Sequence, residues 1–428
     1  MGAEFFVCNL GCKVNRAESD ALVRTLVAAG AAAAGRDEAK VVVVNTCTVT
    51  GEAEAKARKA IRQALAGACD PWVVATGCAV AVAPEAYAAL GARVVVVPEK
   101  DAAAARALEL LGCPQAGCND ACAPPADGPL KAQGLKGCGT LGTRRILKIQ
   151  DGCDNRCSYC IVHVARGPAC SVPASRIAVQ LRAAEEEGVR EAVLAGIDIG
   201  SYLSEGKDLC ALVEGLLAAT SKLRLRLSSL EVQHASDRLL GLMAASDGRL
   251  CAHLHLPLQS GCDRTLALMR RRYDTALFAE RAARARALMP RLALTTDVIV
   301  GFPAERDEDF RESRAFCEHM SFSRIHVFRY SLRPGTPAAA LGPAVPPEEK
   351  AERAQALRTM AAAMRRADLV GRLGDVERVL VERSGQGTSE SYLRVGLPAG
   401  PLPGALVAVR FSACRDTLMY GTPLQQED

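Results

Sequence analysis

No apolar run in this sequence approaches the roughly 18 residues that a membrane span requires. No basic segment followed by an apolar core opens it, so a secretory leader is not expected. A strong charge of one sign is also missing. Its 53 Lys and Arg are nearly matched by 48 Asp and Glu, leaving +5, and so small an excess gives no global nucleic-acid signal. Histidine is scarce, with six residues, and no histidine triad for a metal stands out. Cysteine, by contrast, is abundant at 18 residues. Without a leader, these cysteines argue against a secreted disulfide framework and for a reducing cytoplasm, where thiolates serve metals. A hydrophobic fraction of 49% rules out wholesale disorder. At 428 residues the chain exceeds one ordinary core, so two or three domains are expected. Ala- and Arg-rich stretches at 31–34 and 282–286 read as helix-forming composition without chemical content.

Residues 151–160 carry the densest chemistry: Asp-Gly-Cys-Asp-Asn-Arg-Cys-Ser-Tyr-Cys. Cys153, Cys157 and Cys160 form a C-x3-C-x2-C spacing. Closely spaced thiolates on one loop can reach three irons of a [4Fe–4S] cubane, which has four ligand positions, and so leave one iron open. An open position is what separates a catalytic metal site from a closed structural one. A zinc site, or three unrelated cysteines, is the competing reading of the spacing alone. The motif resembles that of radical S-adenosylmethionine (SAM) enzymes. That resemblance implies that the open iron chelates SAM, that an electron cleaves it to a 5′-deoxyadenosyl radical, and that Tyr159 stands at an aromatic position of the motif.

The first hundred residues alternate strand-like runs at 4–8, 40–44, 72–75 and 93–97 with helical patterns at 18–29, 52–65 and 84–90. This rhythm predicts βαβ units and a parallel sheet. Cys12, Cys47 and Cys78 each follow one of these strands. Loops at the carboxyl ends of parallel strands converge, which is where open α/β sheets build their sites. Buried structural cysteines are the alternative, since cysteine packs as a small hydrophobe.

A longer series of motifs resembles the methylthiotransferases, a radical SAM family that places a methylthio group on an unactivated carbon. It includes Gly11-Cys12-Lys13-Val14-Asn15, Asn45-Thr46-Cys47-Thr48-Val49-Thr50, Gly77-Cys78, Lys148-Ile149-Gln150-Asp151-Gly152-Cys153 and His255-Leu256-Pro257-Leu258-Gln259-Ser260-Gly261. It continues through Thr296-Asp297-Val298-Ile299-Val300-Gly301-Phe302-Pro303 and Tyr330-Ser331-Leu332-Arg333-Pro334-Gly335-Thr336. The resemblance implies that Cys12, Cys47 and Cys78 hold a second, auxiliary [4Fe–4S] cluster.

The expected organisation is an N-terminal α/β domain over 1–112, a linker over 113–143, a partial (β/α)6 barrel over 144–367 and a small β-barrel over 368–428. Strand-like runs at 145–150, 192–195, 223–227, 252–256, 292–300 and 325–330 make six βα repeats, with helices expected at 175–187 and 307–320 among others. Sites in such barrels sit at the carboxyl ends of strands. SAM contacts are therefore expected from Tyr159, Gly196, Ser228, Glu231, Gln259 and Gly301, with the two glycines allowing close backbone approach. Each of these has a plainer reading as a turn residue or polar cap. His253 and His255 are expected to face opposite sides of their strand, His255 inward and His253 outward.

The last segment has short runs at 377–381, 391–395 and 406–411 between Gly and Pro clusters, the pattern of a small β-barrel. It resembles the TRAM domain, an OB-like RNA-binding module. Yet residues 368–428 hold 6 Arg or Lys and 8 Asp or Glu, so 6 − 8 = −2, whereas a phosphate-binding surface should be basic. Basic clusters occur instead at Arg270, Arg271 and Arg272 and at Arg365 and Arg366. Cys113, Cys118, Cys122 and Cys138 sit in a Gly- and Pro-rich stretch at irregular spacings with no histidine among them, and no metal is expected there.

The methylthiotransferase resemblance implies a reaction with two SAM molecules. One methylates sulfur carried on the auxiliary cluster, and the other yields the radical that activates the target carbon. An electron donor such as flavodoxin or ferredoxin is implied, with the sulfur donor open. Lys13-Val14-Asn15 and Thr48-Val49-Thr50 resemble the branch that modifies N6-threonylcarbamoyladenosine beside the tRNA anticodon. Isopentenyladenosine in tRNA and an aspartate of a ribosomal protein are the alternative substrates within the family. A radical SAM enzyme without methylthiolation, or an RNA-binding protein with structural clusters, are the alternatives outside it.

Overall fold

The computed structural model describes residues 3–113, 143–383, 385–398 and 400–424. Its first unit is a five-stranded parallel sheet ordered Ala32–Ala33, Glu4–Asn9, Val41–Thr46, Trp72–Gly77 and Val94–Val96. Val41, Val42, Val43 and Val44 are all fully buried. Successive side chains of a strand point to opposite faces. Val41 and Val43 therefore pack with Phe5, Val7 and Val23 on one face, and Val42 and Val44 with Ile61, Val73 and Tyr87 on the other. A sheet covered on both faces reads as a continuous apolar run, which is why this sequence does not alternate. Helices Lys13–Ala28, Gly51–Leu65 and Ala102–Leu111 supply the cover. Residues 31–34 are not helical: Ala32–Ala33 pairs with Glu4 and Phe5 as an edge strand, so chain topology overrides the alanine propensity. Residues 282–286 do lie in a helix, Thr275–Leu288.

The central unit has six parallel strands in two halves. Arg145–Lys148, Glu191–Ala195 and Arg224–Leu227 form one, and His253–His255, Ala293–Val300 and Arg324–Arg329 the other. Single bridges at Leu225–Leu250 and Ser229–His255 join them. Leu225, Leu227, Leu254, Leu256 and Leu294 pack outward against the helices. The period of two puts Arg224, Arg226, His253, His255 and Thr295 on the other, inward face.

The same period corrects the expectation for the histidines. Residues two apart on a strand share a face, and the Thr295 hydroxyl lies 3.1 Å from His253 Nε2 and 3.0 Å from His255 Nδ1. His253 is buried inside the barrel, its ring 4.9 Å from that of Tyr392.

Helix Pro347–Gly371 runs past the expected start of the last unit at 368. Beyond it, Val376–Arg383, Gln386–Ser389, Arg394–Gly396, Leu406–Arg415 and Leu418–Pro423 close into a five-stranded barrel around Val379, Val395, Val409, Phe411 and Met419. Closure leaves no strand edge unpaired.

This small barrel docks on the amino-terminal end of the central one. Glu191 is fully buried between Arg224 and Arg226. Arg224 donates to the carbonyls of Arg378 (2.7 Å) and Thr388 (3.1 Å), and Arg226 to those of Ser389 (2.9 Å) and Glu390 (2.8 Å). Tyr392, with φ +62°, carries the Arg226 guanidinium 4.8 Å from its ring centre and the Lys13 ammonium 5.4 Å from it. Among the linker cysteines, Cys113 packs on the N-terminal core, whereas Cys118, Cys122 and Cys138 lie outside the described residues.

Candidate functional site

Three adjacent parallel strands deliver the dispersed cysteines. Cys12 is the N-cap of helix Lys13–Ala28, Cys47 directly follows Val41–Thr46, and Cys78 directly follows Trp72–Gly77. Two asparagines lock the strand ends together. Asn15 Nδ2 donates to Asn45 Oδ1 (3.1 Å) and to the Thr46 carbonyl (2.8 Å), and Asn45 Nδ2 donates back to the Asn15 carbonyl (3.0 Å). Gly77 has φ +95°, and a Cβ there would stand 2.4 Å from Asn45 Oδ1, so only glycine fits this turn. Burial pushes the Cys47 thiol up, and the neighbouring thiolates of Cys12 and Cys78 push it further. The three thiols thus sense one another.

The contiguous triad follows the first barrel strand. Gln150 fastens its loop: Nε2 donates to the carbonyls of Asp151 (2.8 Å) and Gly152 (2.9 Å), while Oε1 accepts from the N–H groups of Ile197 (3.0 Å) and Asp198 (2.9 Å). Asn155 Nδ2 donates to Asp198 Oδ2 at 2.9 Å, and Ser158 ties the loop to Leu268 and Met269. Each sulfur accepts one hydrogen bond: Cys153 from the Asn155 N–H, Cys160 from the Val162 N–H and Cys157 from Arg271 Nη1 at 3.2 Å. Burial pushes the Cys160 thiol up to about 12, with Cys157 and Cys153 adding to it.

Arg271 collects several of the expected SAM contacts. Besides Cys157 it donates to the Tyr159 hydroxyl (3.4 Å), to Glu231 and to the Tyr273 hydroxyl (3.1 Å). Glu231 is therefore paired within the protein. Tyr159 meets Phe302 edge-on at 6.4 Å, and Phe302 meets Tyr330 at 5.4 Å. Ser228 is buried with its hydroxyl unpartnered among the described residues, as is Asp198 Oδ1. Gln259, with φ +66°, bonds through its backbone to Asp297 and Ile299. The close approach at Gly196 is made by the protein's own Gln150, whose Oε1 would lie 2.9 Å from a Cβ, and that at Gly301 by the Lys350 stem at 2.3 Å. Cys157, Tyr159 and Glu231 are thus gathered around one guanidinium, while Gly196 and Gly301 are filled from within.

The residue that joins the two triads is Arg166, which sequence reasoning missed. It ends the short helix Val162–Arg166, just after Cys160, and its side chain is 1% exposed. Nε donates to Cys78 Sγ (3.1 Å), Nη1 to Asp151 Oδ1 (2.7 Å) and Glu18 Oε1 (2.9 Å), and Nη2 to Asn15 Oδ1 (2.8 Å). Lys148 and Lys100 reach Glu18 as well, and Lys100 Nζ stands 3.7 Å from Cys78 Sγ. Burial would raise Asp151, but Arg166 and Lys148 outweigh it and hold its carboxyl at about 2. The available signal was the Arg166-Gly167 pair closing the cysteine segment.

Two of the basic residues expected on the surface are committed inside. Arg271 is bound as above, and Arg365 donates to the Ser323 carbonyl and to Asp368. Arg270, Arg272 and Arg366 are exposed or nearly so.

The donor sets suit thiolate-bound clusters. In each triad a buried guanidinium and neighbouring N–H groups point at sulfur, as negatively charged ligand sulfurs require. Among the described residues no three His, Cys, Asp or Glu side chains converge closely enough for a single metal ion. Ligands of a cubane sit on separate irons instead.

Comparisons with known proteins identify the family. Residues 147–317 match the model of the Radical SAM superfamily, and residues 4–97 match that of Uncharacterized protein family UPF0004. The chain is 33% identical to the threonylcarbamoyladenosine tRNA methylthiotransferase MtaB of Thermotoga maritima, over 82% of this chain and 80% of that protein. It is 33% identical to the MtaB of Bacillus subtilis over 90% and 86%. To the tRNA-2-methylthio-N(6)-dimethylallyladenosine synthase of Endomicrobium trichonymphae it is 32% identical over 82% and 81%. In fold it is similar to TsrM from Kitasatospora setae, a radical S-adenosylmethionine methyltransferase whose structure holds cobalamin and a [4Fe–4S] cluster. The TM-score is 0.58 at 14% identity over 79% of this chain and 77% of that one. With a radical SAM barrel, an N-terminal cysteine-bearing sheet and relatives matched along most of its length, the chain is an enzyme of the radical SAM tRNA methylthiotransferase family.

Proposed function

We propose that this enzyme adds a methylthio group to C2 of N6-threonylcarbamoyladenosine beside the anticodon of tRNA, using two [4Fe–4S] clusters and two SAM molecules. Cys153, Cys157 and Cys160 would hold one cluster, and Cys12, Cys47 and Cys78 the other. When bound, the first supplies a 5′-deoxyadenosyl radical from SAM and the second presents the sulfur to be transferred. The observation that carries the reading is the bridge from Cys78 through Arg166 to Asp151, which puts both triads at one end of the barrel.

The protein's own groups orient and shield. Gln150 and Asn155 fix the loop triad against the next strand end. Tyr159, Phe302 and Tyr330 form an apolar wall that keeps water from a reactive radical. Ser228 and Asp198, with buried atoms left unpartnered, are the polar groups best placed to receive SAM.

The choice of substrate draws on the barrel interior. Lys13, beside Cys12, faces Tyr392, and no carboxylate among the described residues lies within ion-pair distance of its ammonium. His255 pairs with Asp297 at 3.3 Å, and His326 stands 6.0 Å away between ring centres. Such a lining suits the carboxylate of a threonylcarbamoyl group better than an apolar isopentenyl group, because a half-buried cation with no carboxylate partner gains from an anion.

Phosphate contacts would come from outside this chamber. An open cleft between the N-terminal unit and the small barrel is lined by Arg16, Arg383 and Arg394, with none of the six cysteines in it. No helix among the described residues is long and apolar enough to cross a membrane. A cytoplasmic setting, with flavodoxin or ferredoxin as electron donor, fits the reading.

The deciding assay offers the reduced enzyme tRNA bearing the threonylcarbamoyl group, tRNA bearing the isopentenyl group and a ribosomal-protein peptide. Methylthiolation of the first is expected. Product only from the isopentenyl tRNA, or from the peptide, overturns the choice of substrate.

A further inference from the structure

Arg166 is placed in one half of the site and spent on the other. Its backbone belongs to the segment that carries Cys153, Cys157 and Cys160, yet its Nε–H points at Cys78 Sγ, 3.1 Å away. Its remaining N–H groups are taken by Asp151, Glu18 and Asn15. With 1% of its side chain exposed, the guanidinium itself is removed from water. A carboxylate is the usual partner for the edge of a guanidinium, and here a sulfur holds the Nε position. The potential of an iron–sulfur cluster follows its net charge and the hydrogen bonds made to its sulfurs. A cation donating to a ligand sulfur favours the more negative, reduced state. Asp151 and Glu18, on the same guanidinium, oppose it.

We propose that Arg166 is a positioning residue that raises the reduction potential of the cluster held by Cys12, Cys47 and Cys78, and that Asp151 opposes it from the radical loop. The inference rests on the two-cluster reading above. It makes the electronic state of one cluster depend on a residue that the other cluster's loop holds in place. Arg271, donating to Cys157 Sγ with Glu231 as its counter-anion, is the corresponding arrangement on the loop triad. It stays within the barrel and makes no hydrogen bond to the other triad.

The test uses the full chain with Cys153, Cys157 and Cys160 changed to Ala, so that every remaining cluster signal belongs to one site. Iron is counted first. About four irons per chain are expected for one cubane, and their absence would count against the auxiliary cluster itself, not against Arg166. A dithionite titration followed by electron paramagnetic resonance then gives the midpoint of the one-electron couple. Relative to this background, Arg166→Gln should lower the midpoint and Asp151→Asn should raise it, with Arg166→Lys between Arg166→Gln and the unsubstituted arginine. A purely structural bridge would change iron retention and leave the midpoint in place. An unchanged midpoint in Arg166→Gln, or shifts of the same sign in Arg166→Gln and Asp151→Asn, overturns the proposal. If Arg166→Gln retains no iron, Asp151→Asn decides: an upward shift supports the proposal, and no shift or a downward one overturns it.

Discussion

At the amino-terminal end of the central barrel, Glu191 lies between Arg224 and Arg226, and four carbonyls of the small barrel take up guanidinium N–H groups. At the carboxyl-terminal end, Arg166 and Arg271 are buried almost as deeply, but part of their donation goes to cysteine sulfur. Nearby, Ser228 and Asp198 keep buried atoms without partners among the described residues. The residue types are the same, and the difference is what they are paired with. Where charges meet only protein acceptors, the network is closed and structural. Where they meet cysteine sulfur, it suits thiolate-bound clusters. The small barrel accordingly supplies the acceptors that close the lower end.

The largest expected effect is at the upper end. Changing Cys153, Cys157 and Cys160 together to Ala should abolish 5′-deoxyadenosine formation and leave about half of roughly eight irons. Production of 5′-deoxyadenosine by this variant would show that SAM is cleaved elsewhere. Changing Cys12, Cys47 and Cys78 to Ala should halve the iron in the same way, spare SAM cleavage and eliminate the methylthio product. Full iron content in that variant would remove the second cluster from the reading.

The lower end should respond in stability instead. Glu191→Ala leaves two buried guanidiniums without their carboxylate, which typically costs about 3–5 kcal/mol. Urea unfolding measures the loss, and SAM cleavage per folded molecule should change little. A large drop in cleavage with unchanged stability would erase the distinction between the two ends.

A smaller effect sharpens it. Burial would raise the Glu191 carboxyl, but Arg226 and Arg224 outweigh it and hold it at about 2, the value also held by Asp151 at the upper end. A folded-state value below the unfolded one, near 4, gives stability that is complete above pH 4 and lost as pH falls through about 2. Each group should contribute on the order of 2–3 kcal/mol to that loss. Unfolding midpoints between pH 5 and 2 should flatten in Glu191→Gln and, separately, in Asp151→Asn. No flattening in either variant would show that other carboxylates govern the acid limb.

The loop triad could be proposed from sequence because its spacing is local. Three thiols on one loop can reach one cluster, but spacing alone left a zinc site open for Cys153, Cys157 and Cys160, and the motif resemblance chose between them. The six barrel strands and the sheet of the first unit were legible from apolar runs and turn signals, because backbone periodicity is imposed residue by residue. Cys12, Cys47 and Cys78 were reachable one step further, through the rule that loops converge past parallel strand ends. Partnership was not legible. An arginine's sequence neighbours do not say what its guanidinium will meet. Arg271 therefore looked like a phosphate contact and Arg166 like nothing in particular, and the inward face shared by His253 and His255 was misassigned despite a period that fixes it.

Patterns spanning a few to a few dozen residues were enough for most of the elements, their order and the six candidate ligand cysteines, though not for the edge strand Ala32–Ala33. Only the tertiary structure decided that Arg166 crosses from one triad to the other and that the small barrel closes the base around Glu191. It also showed that Gly196 and Gly301 make room for Gln150 and Lys350. These contacts join residues 15 to 164 positions apart. They form because an unpaired charge is costly in a low-dielectric interior, so these buried groups find partners across the fold.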